Sequence, residues 1–163
     1  MSDARWFEVD ADILSAIRHF QNSIELFEAG GFDEAGLAGY RAEMALMHAL
    51  QSAHASLEAG LLRVLAMLAE ERPVGDNWHA DLIKRAAAPI PGRRPAILGP
   101  RLAEAANETR RFRHRATHNY DGFEVRETAR TLAAARILAS GLAREIGAFK
   151  SAIDPEERGG DGT

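Results

Sequence analysis

Apolar residues in this chain recur at alternating steps of three and four, and no segment alternates every second residue as a half-buried strand does. Ile13, Ile17, Phe20, Ile24 and Phe27 form one such seam, which stops at Gly30-Gly31. Met47, Leu50, His54, Leu57, Leu61, Val64 and Leu68 form a second, within a regular stretch from about Tyr40 to Glu71. Asp33 can cap this segment, although Gly36 and Gly39 disfavour regular first turns, and Pro73-Val74-Gly75-Asp76 breaks it. A shorter helix is expected over Trp78 to Ala87, capped by Asp76 or Asn77. The run Pro89-Ile90-Pro91-Gly92-Arg93-Arg94-Pro95 cannot be helical and reads as an ordered loop. Leu98, Leu102, Ala105, Thr109, Phe112 and Ala116 then share one face of a third long helix. After a turn at Asp121-Gly122, a last helix is expected from about Glu124 to Ile153, with Val125, Leu132, Leu142, Ile146, Phe149 and Ile153 inward. The fold class is therefore all-α, an up-down bundle of four main helices plus one short one. It is expected as a single domain over residues 1–155 with a disordered tail over 156–163.

A chain of 163 residues, 46% of them hydrophobic, suffices for one core but not comfortably for two. Its lack of Cys excludes disulfides, thiolate metal sites and a cysteine nucleophile. No apolar run is long enough to span a bilayer. The N-terminus MSDARWFEVDAD is acidic where a secretory signal would be basic and then apolar. A cytoplasmic protein without membrane association is the expectation.

The net charge of −4 conceals an uneven distribution. Residues 1–83 carry 5 Lys and Arg against 14 Asp and Glu, whereas residues 84–118 carry 9 against 2. A basic block within an acidic chain is what a phosphate-contacting surface requires. For charge alone, a solvated face is the better reading.

The block ends in Arg110-Arg111-Phe112-Arg113-His114-Arg115-Ala116-Thr117-His118-Asn119-Tyr120. Within it, an Arg is followed after four residues by a His and, one residue further, by a Tyr. Histidine titrates near neutrality and suits the task of a general base. Arginine offers paired donors to a phosphate. On a continuous helix positions 113 and 118 lie about 140° apart, so Arg113 must lean round to meet a phosphate held near His118. His114 and His118 point outward together, while Arg113 and Tyr120 share a flank.

This R-x(4–6)-H-x-Y pattern resembles that of the HEPN ribonucleases. Trp78-His79-Ala80-Asp81-Leu82-Ile83 and Ile90-Pro91-Gly92-Arg93-Arg94-Pro95-Ala96-Ile97-Leu98, in this order before Phe112-Arg113-His114, look like a bacterial HepT-like subfamily. The likeness extends over roughly residues 40–150, including the helix around Leu57-Glu58, although an aromatic expected near Ala53 or His54 is missing. The resemblance implies a HEPN-like bundle acting as a metal-independent RNA endonuclease, the toxin of a type II toxin–antitoxin pair. It implies cleavage by 2′-hydroxyl attack at a site shared across a homodimer, with Arg113 and His118 catalytic. His114, Arg110, Arg111 and Arg115 are the expected supporting or phosphate-binding residues. It also implies an MNT-type nucleotidyltransferase antitoxin as partner, which adenylylates Tyr120. No cofactor is expected.

Plainer roles stand beside these. His118 alone would read as a helix-terminal histidine, and Tyr120 as an amphipathic residue closing the bundle. His114 and His118 are spaced to share Zn²⁺, but without Cys or a third ligand nearby no metal site is expected. His54 on its apolar seam reads as packed, Trp78 as a core plug and His79 as a loop anchor. Arg93 and Arg94 are open to RNA, to a partner or to neither. The alternative function is a non-catalytic HEPN module that binds a nucleotidyltransferase or a nucleotide. A purely structural helical dimer would require the motif to be accidental.

Overall fold

The computed structural model describes residues 4–118 and 124–154. Four long helices, α1 (Ala4–Ala29), α2 (Leu37–Met67), α4 (Pro100–His118) and α5 (Ala129–Ile153), are joined by the short α3 (Trp78–Ala87). Among the described residues no strand forms; Ile90 and Arg94 make one isolated antiparallel bridge. No described helix is long and apolar enough to cross a membrane.

The three- and four-residue seams become the faces that meet in one core. Trp6, Val9, Ile13, Ala16 and Phe20 of α1 pack with Leu50, Leu57, Leu61 and Val64 of α2, and with Leu132, Leu138, Leu142 and Phe149 of α5. Burying each of the Val, Leu, Ile and Phe side chains among them contributes about 1.5–3 kcal/mol. The antiparallel order of α1 and α2 is marked by Ser15 against Ser56 at 3.1 Å and Asp12 against Arg63 at 2.6 Å. In the same sense α5 runs against α1, with Trp6 Nε1 donating to Asp154 at 2.7 Å and Arg136 beside Glu28 at 3.6 Å. It also runs against α4, where Gly99 N donates to Glu145 at 2.8 Å and Gly141 meets Leu102.

Several boundaries differ from the sequence expectation. Gly30 and Gly31 take φ of 70° and 88°, the left-handed conformation that ends α1 as foreseen. Asp33, however, does not cap α2, which starts at Leu37 behind Gly36. Entry into α2 instead needs a close approach of chain to chain: a Cβ on Gly39 would lie 2.1 Å from the Glu34 carbonyl oxygen. At its other end α2 stops at Met67, short of Glu71. Asn77 is the N-cap of α3 but its side chain makes no capping hydrogen bond. A 3-10 turn over Val125–Thr128 precedes α5, so the last α-helix begins later than Glu124. The expected turn at Asp121-Gly122 and the tail 156–163 lie outside the described residues.

The loop between α3 and α4 is held by Arg94, one of the two arginines left open to RNA by the sequence. It is buried, donates to both carboxylate oxygens of Glu70 at 2.6 and 2.9 Å, and donates to the carbonyls of Ala88 and Arg85 at 2.9 and 3.2 Å. Its role is to tie the end of α3 to the segment after α2. Ile97 and Leu98 both donate backbone N–H to the Ala86 carbonyl, which brings Pro100 to the first turn of α4.

Candidate functional site

The basic motif occupies the last two turns of α4. Thr109, Phe112 and Ala116 face the core. Arg113, next to Phe112, therefore emerges on the flank and is half-buried, while His114 and His118 are exposed. Arg113 leans toward α2, where its Nη1 donates to Glu58 Oε1. His118 leans back along its own helix: Nδ1 lies 2.9 Å from the His114 carbonyl oxygen, and the two imidazoles approach with centroids 4.3 Å apart. A carbonyl oxygen only accepts, so the Nδ1 of His118 carries the proton and Nε2 of the neutral ring keeps its lone pair. Thr117 turns back likewise, donating to the Arg113 carbonyl at 2.8 Å.

These side chains open onto a cavity of about 350 Å³. Arg110, Arg113, His114, Thr117 and His118 of α4 form one wall, and Asp76, Asn77, His79 and Ala80 around the start of α3 form another, with His54 of α2 also reaching it. Arg110 is steadied by Asn107, 3.2 Å from its Nε. Arg111 and Arg115 are exposed and do not line the cavity; Arg111 pairs with Glu108 at 3.2 Å. Tyr120 lies outside the described residues. Among the described residues, no group of three or more His, Cys, Asp and Glu is arranged to hold a metal ion.

Behind this lining sits a buried carboxylate. Glu58, only 3% exposed, offers Oε1 to Arg113 and accepts the Nδ1 proton of His79 on Oε2 at 2.5 Å. His54 Nε2 stands 3.5 Å from the same oxygen. The other ring nitrogen, His54 Nδ1, is 2.8 Å from Thr109 Oγ1, which itself donates to the Ala106 carbonyl at 3.0 Å. Thr109 thus accepts from Nδ1–H, and Nε2 is left without a hydrogen-bond partner. Burial, helped by the charges of Arg113 and His79, lowers the His54 pKa against the pull of Glu58. Burial alone would raise Glu58, but the nearness of His54 and the bond from His79 outweigh it and hold the carboxyl below its ordinary value. An ionised Glu58 is also what the Arg113 ion pair demands.

Sequence reasoning passed over Glu58 as a participant. The signal was present: it follows His54 by four positions, so a carboxylate lies on the apolar side of α2. The other neighbours also differ from their first readings. His54 is packed, but it borders the cavity. Trp78 is half-buried rather than a core plug; it stacks on His79 with centroids 3.6 Å apart, and Arg72 lies 5.3 Å from its ring.

The described residues form an all-α bundle whose candidate site is a basic helix end beside a two-walled cavity. A family model described as HepT-like protein matches residues 45–153, which include α3, α4 and most of α2, and the chain belongs to this family. No curated protein and no solved structure matches it.

Proposed function

We propose that this protein is a metal-independent RNA endonuclease, the toxin half of a type II HEPN/MNT pair. The observation that carries the proposal is that Arg113 and His118 face one cavity, with His118 held in the tautomer a general base needs. In the reaction, Nε2 of His118 takes the proton of a ribose 2′-hydroxyl and the freed oxygen attacks the adjacent phosphorus. The bond from phosphorus to the 5′-oxygen breaks, leaving a 2′,3′-cyclic phosphate and a 5′-hydroxyl. Arg113 keeps N–H donors beyond the one given to Glu58, and these meet the charge that develops on the phosphate oxygens. Arg110 adds positive potential and His114 a ring N–H donor for the RNA backbone, with Arg111 and Arg115 further out.

One chain supplies one Arg113 and one His118. A homodimer that brings two such helix ends to one cleft would supply the acid that protonates the leaving 5′-oxygen. Tyr120, two positions after His118, is the residue an MNT-type nucleotidyltransferase antitoxin would adenylylate. A bulky anion there would compete with substrate phosphate for the basic helix end.

The test is cleavage of labelled RNA by the purified protein in the presence of a chelator. Cyclic phosphate ends are expected, and Arg113→Ala and His118→Ala should each lose at least about a hundredfold in rate. Undiminished cleavage by both variants would remove the proposed site. The alternative, a non-catalytic module binding a nucleotidyltransferase or a nucleotide, draws on the Arg113–Glu58 ion pair, which already answers part of the arginine's charge. It requires that the partner-free protein leave RNA intact.

A further inference from the structure

The cavity has two chemically opposite walls. The α4 wall carries Arg110, Arg113, His114 and His118; the facing wall carries a carboxylate, Asp76, and a carboxamide, Asn77. Both of the latter side chains are exposed; among the described residues neither is hydrogen-bonded to another side chain, and Asn77 makes no capping bond. A phosphate bound at the cationic wall gains nothing from Asp76, which repels it. What Asp76 can accept is N–H, and the Asn77 carboxamide offers N–H donors beside it.

One residue bridges the two walls. Glu58 accepts from Arg113 of the first wall through Oε1 and from His79 of the second through Oε2. The Trp78–His79 stack further stiffens the start of α3. A group attached to a phosphate at the α4 wall would share the cavity with Asp76 and Asn77.

We infer that the α3 wall is a base-reading subsite that takes guanine, attached to the RNA phosphate held at the α4 wall. Among the four bases, guanine alone presents two adjacent donors, N1–H and the 2-amino group, to one carboxylate, and its O6 accepts from an amide beside them. Cytosine and adenine offer Asp76 a single amino group, and uracil a single ring N–H. The inference rests on the ribonuclease proposal for its RNA source, whereas the base preference itself can be read by binding alone.

The experiment is calorimetric titration of the full chain with guanosine, inosine and adenosine 3′-monophosphates, followed by cleavage of RNAs that differ at one base. Guanosine monophosphate should bind about tenfold or more tighter than the adenosine form. Inosine, which lacks the 2-amino group, should fall between them. Asp76→Asn should bring the guanosine-to-adenosine ratio below about threefold. Asp81→Asn, on α3 but away from the cavity, should leave that ratio intact. Arg113→Ala should weaken both nucleotides alike. Equal binding of the two nucleotides by the unaltered protein, or a preference that survives Asp76→Asn, would overturn the subsite. A protein that cleaves no RNA yet shows the Asp76-dependent preference would sink the ribonuclease proposal and leave the guanine site standing. An active nuclease indifferent to the base would do the reverse.

Discussion

Glu58 of α2 and Arg113 of α4, 55 positions apart in the chain, form an ion pair whose carboxylate is almost wholly buried and whose guanidinium reaches the cavity. The arginine is long and flexible, and without a fixed acceptor it would sample many rotamers. Glu58 limits that freedom at one nitrogen and leaves the remaining donors for a substrate.

Glu58→Gln preserves shape and removes the charge. It should slow single-turnover RNA cleavage by about tenfold or more through mispositioned Arg113. It should also lower stability by about 1–3 kcal/mol, because two donors lose an ionised acceptor. Urea unfolding and cleavage measured on the same samples separate the two effects. Full-rate cleavage by a folded Glu58→Gln protein would show that Arg113 needs no such hold.

The two histidines of the motif should respond differently to truncation. The tautomer of His118 is set by the backbone carbonyl of residue 114, which any amino acid supplies. His114→Ala should therefore cost about tenfold in cleavage, against at least about a hundredfold for His118→Ala. Comparable losses from both would make His114 a direct participant.

How much of this was legible in the sequence depends on the range of the interaction. The helices, and the outward aim of His114 and His118, follow from three- and four-residue spacing, which is local. Trp78–Ala87 was bounded correctly because Pro73-Val74-Gly75 precedes it and Pro89 follows it. The Arg113–Glu58 pair joins two helices, and spacing along one helix contains no information about its neighbour. Arg94 was hidden for a similar reason: beside Arg93 in a proline-rich loop it looks like a surface cation, and only Glu70 makes its burial affordable. Asp33 does not cap α2 because the chain turns at Gly36, with φ of 69°, and packs Gly39 against the Glu34 carbonyl, so α2 starts at Leu37.

Arg94→Ala should be among the most damaging single substitutions outside the hydrophobic core. Its side chain is 2% exposed and Glu70 only 10%, so removal strands a nearly buried carboxylate and takes a donor from three backbone carbonyls, of which only that of Arg85 keeps another, from Ala88 N–H. A loss of about 3–5 kcal/mol is expected in chemical unfolding. Arg94→Lys should recover only part of it, since an ammonium cannot match the two-pronged contact with Glu70. Replacing both members by apolar residues of similar volume should do better than Arg94→Ala alone. An Arg94→Ala protein as stable as the parent would show the clamp to be dispensable.

His54 should make stability pH-dependent on the acid side of neutrality. Its folded pKa lies below the ordinary 6.5 because burial disfavours the charged ring. Between that folded value and 6.5 the unfolded chain binds more protons than the folded one, so stability rises with pH in this window. The contribution is complete above 6.5 and is lost as pH falls through the folded value. The slope cannot exceed about 1.4 kcal/mol per pH unit for one group. Glu58, also lowered from its ordinary 4.5, adds a second loss of the same sign, but only at more acidic pH. Urea midpoints taken from pH 7.5 down to 5 should therefore fall in the parent protein before Glu58 begins to titrate. In His54→Gln, which keeps a donor for Thr109 but has no proton to gain, the same series should be flatter. A parent protein whose stability instead rises on acidification through this range would mean that Glu58 holds His54 charged inside the fold, reversing the order of the two effects.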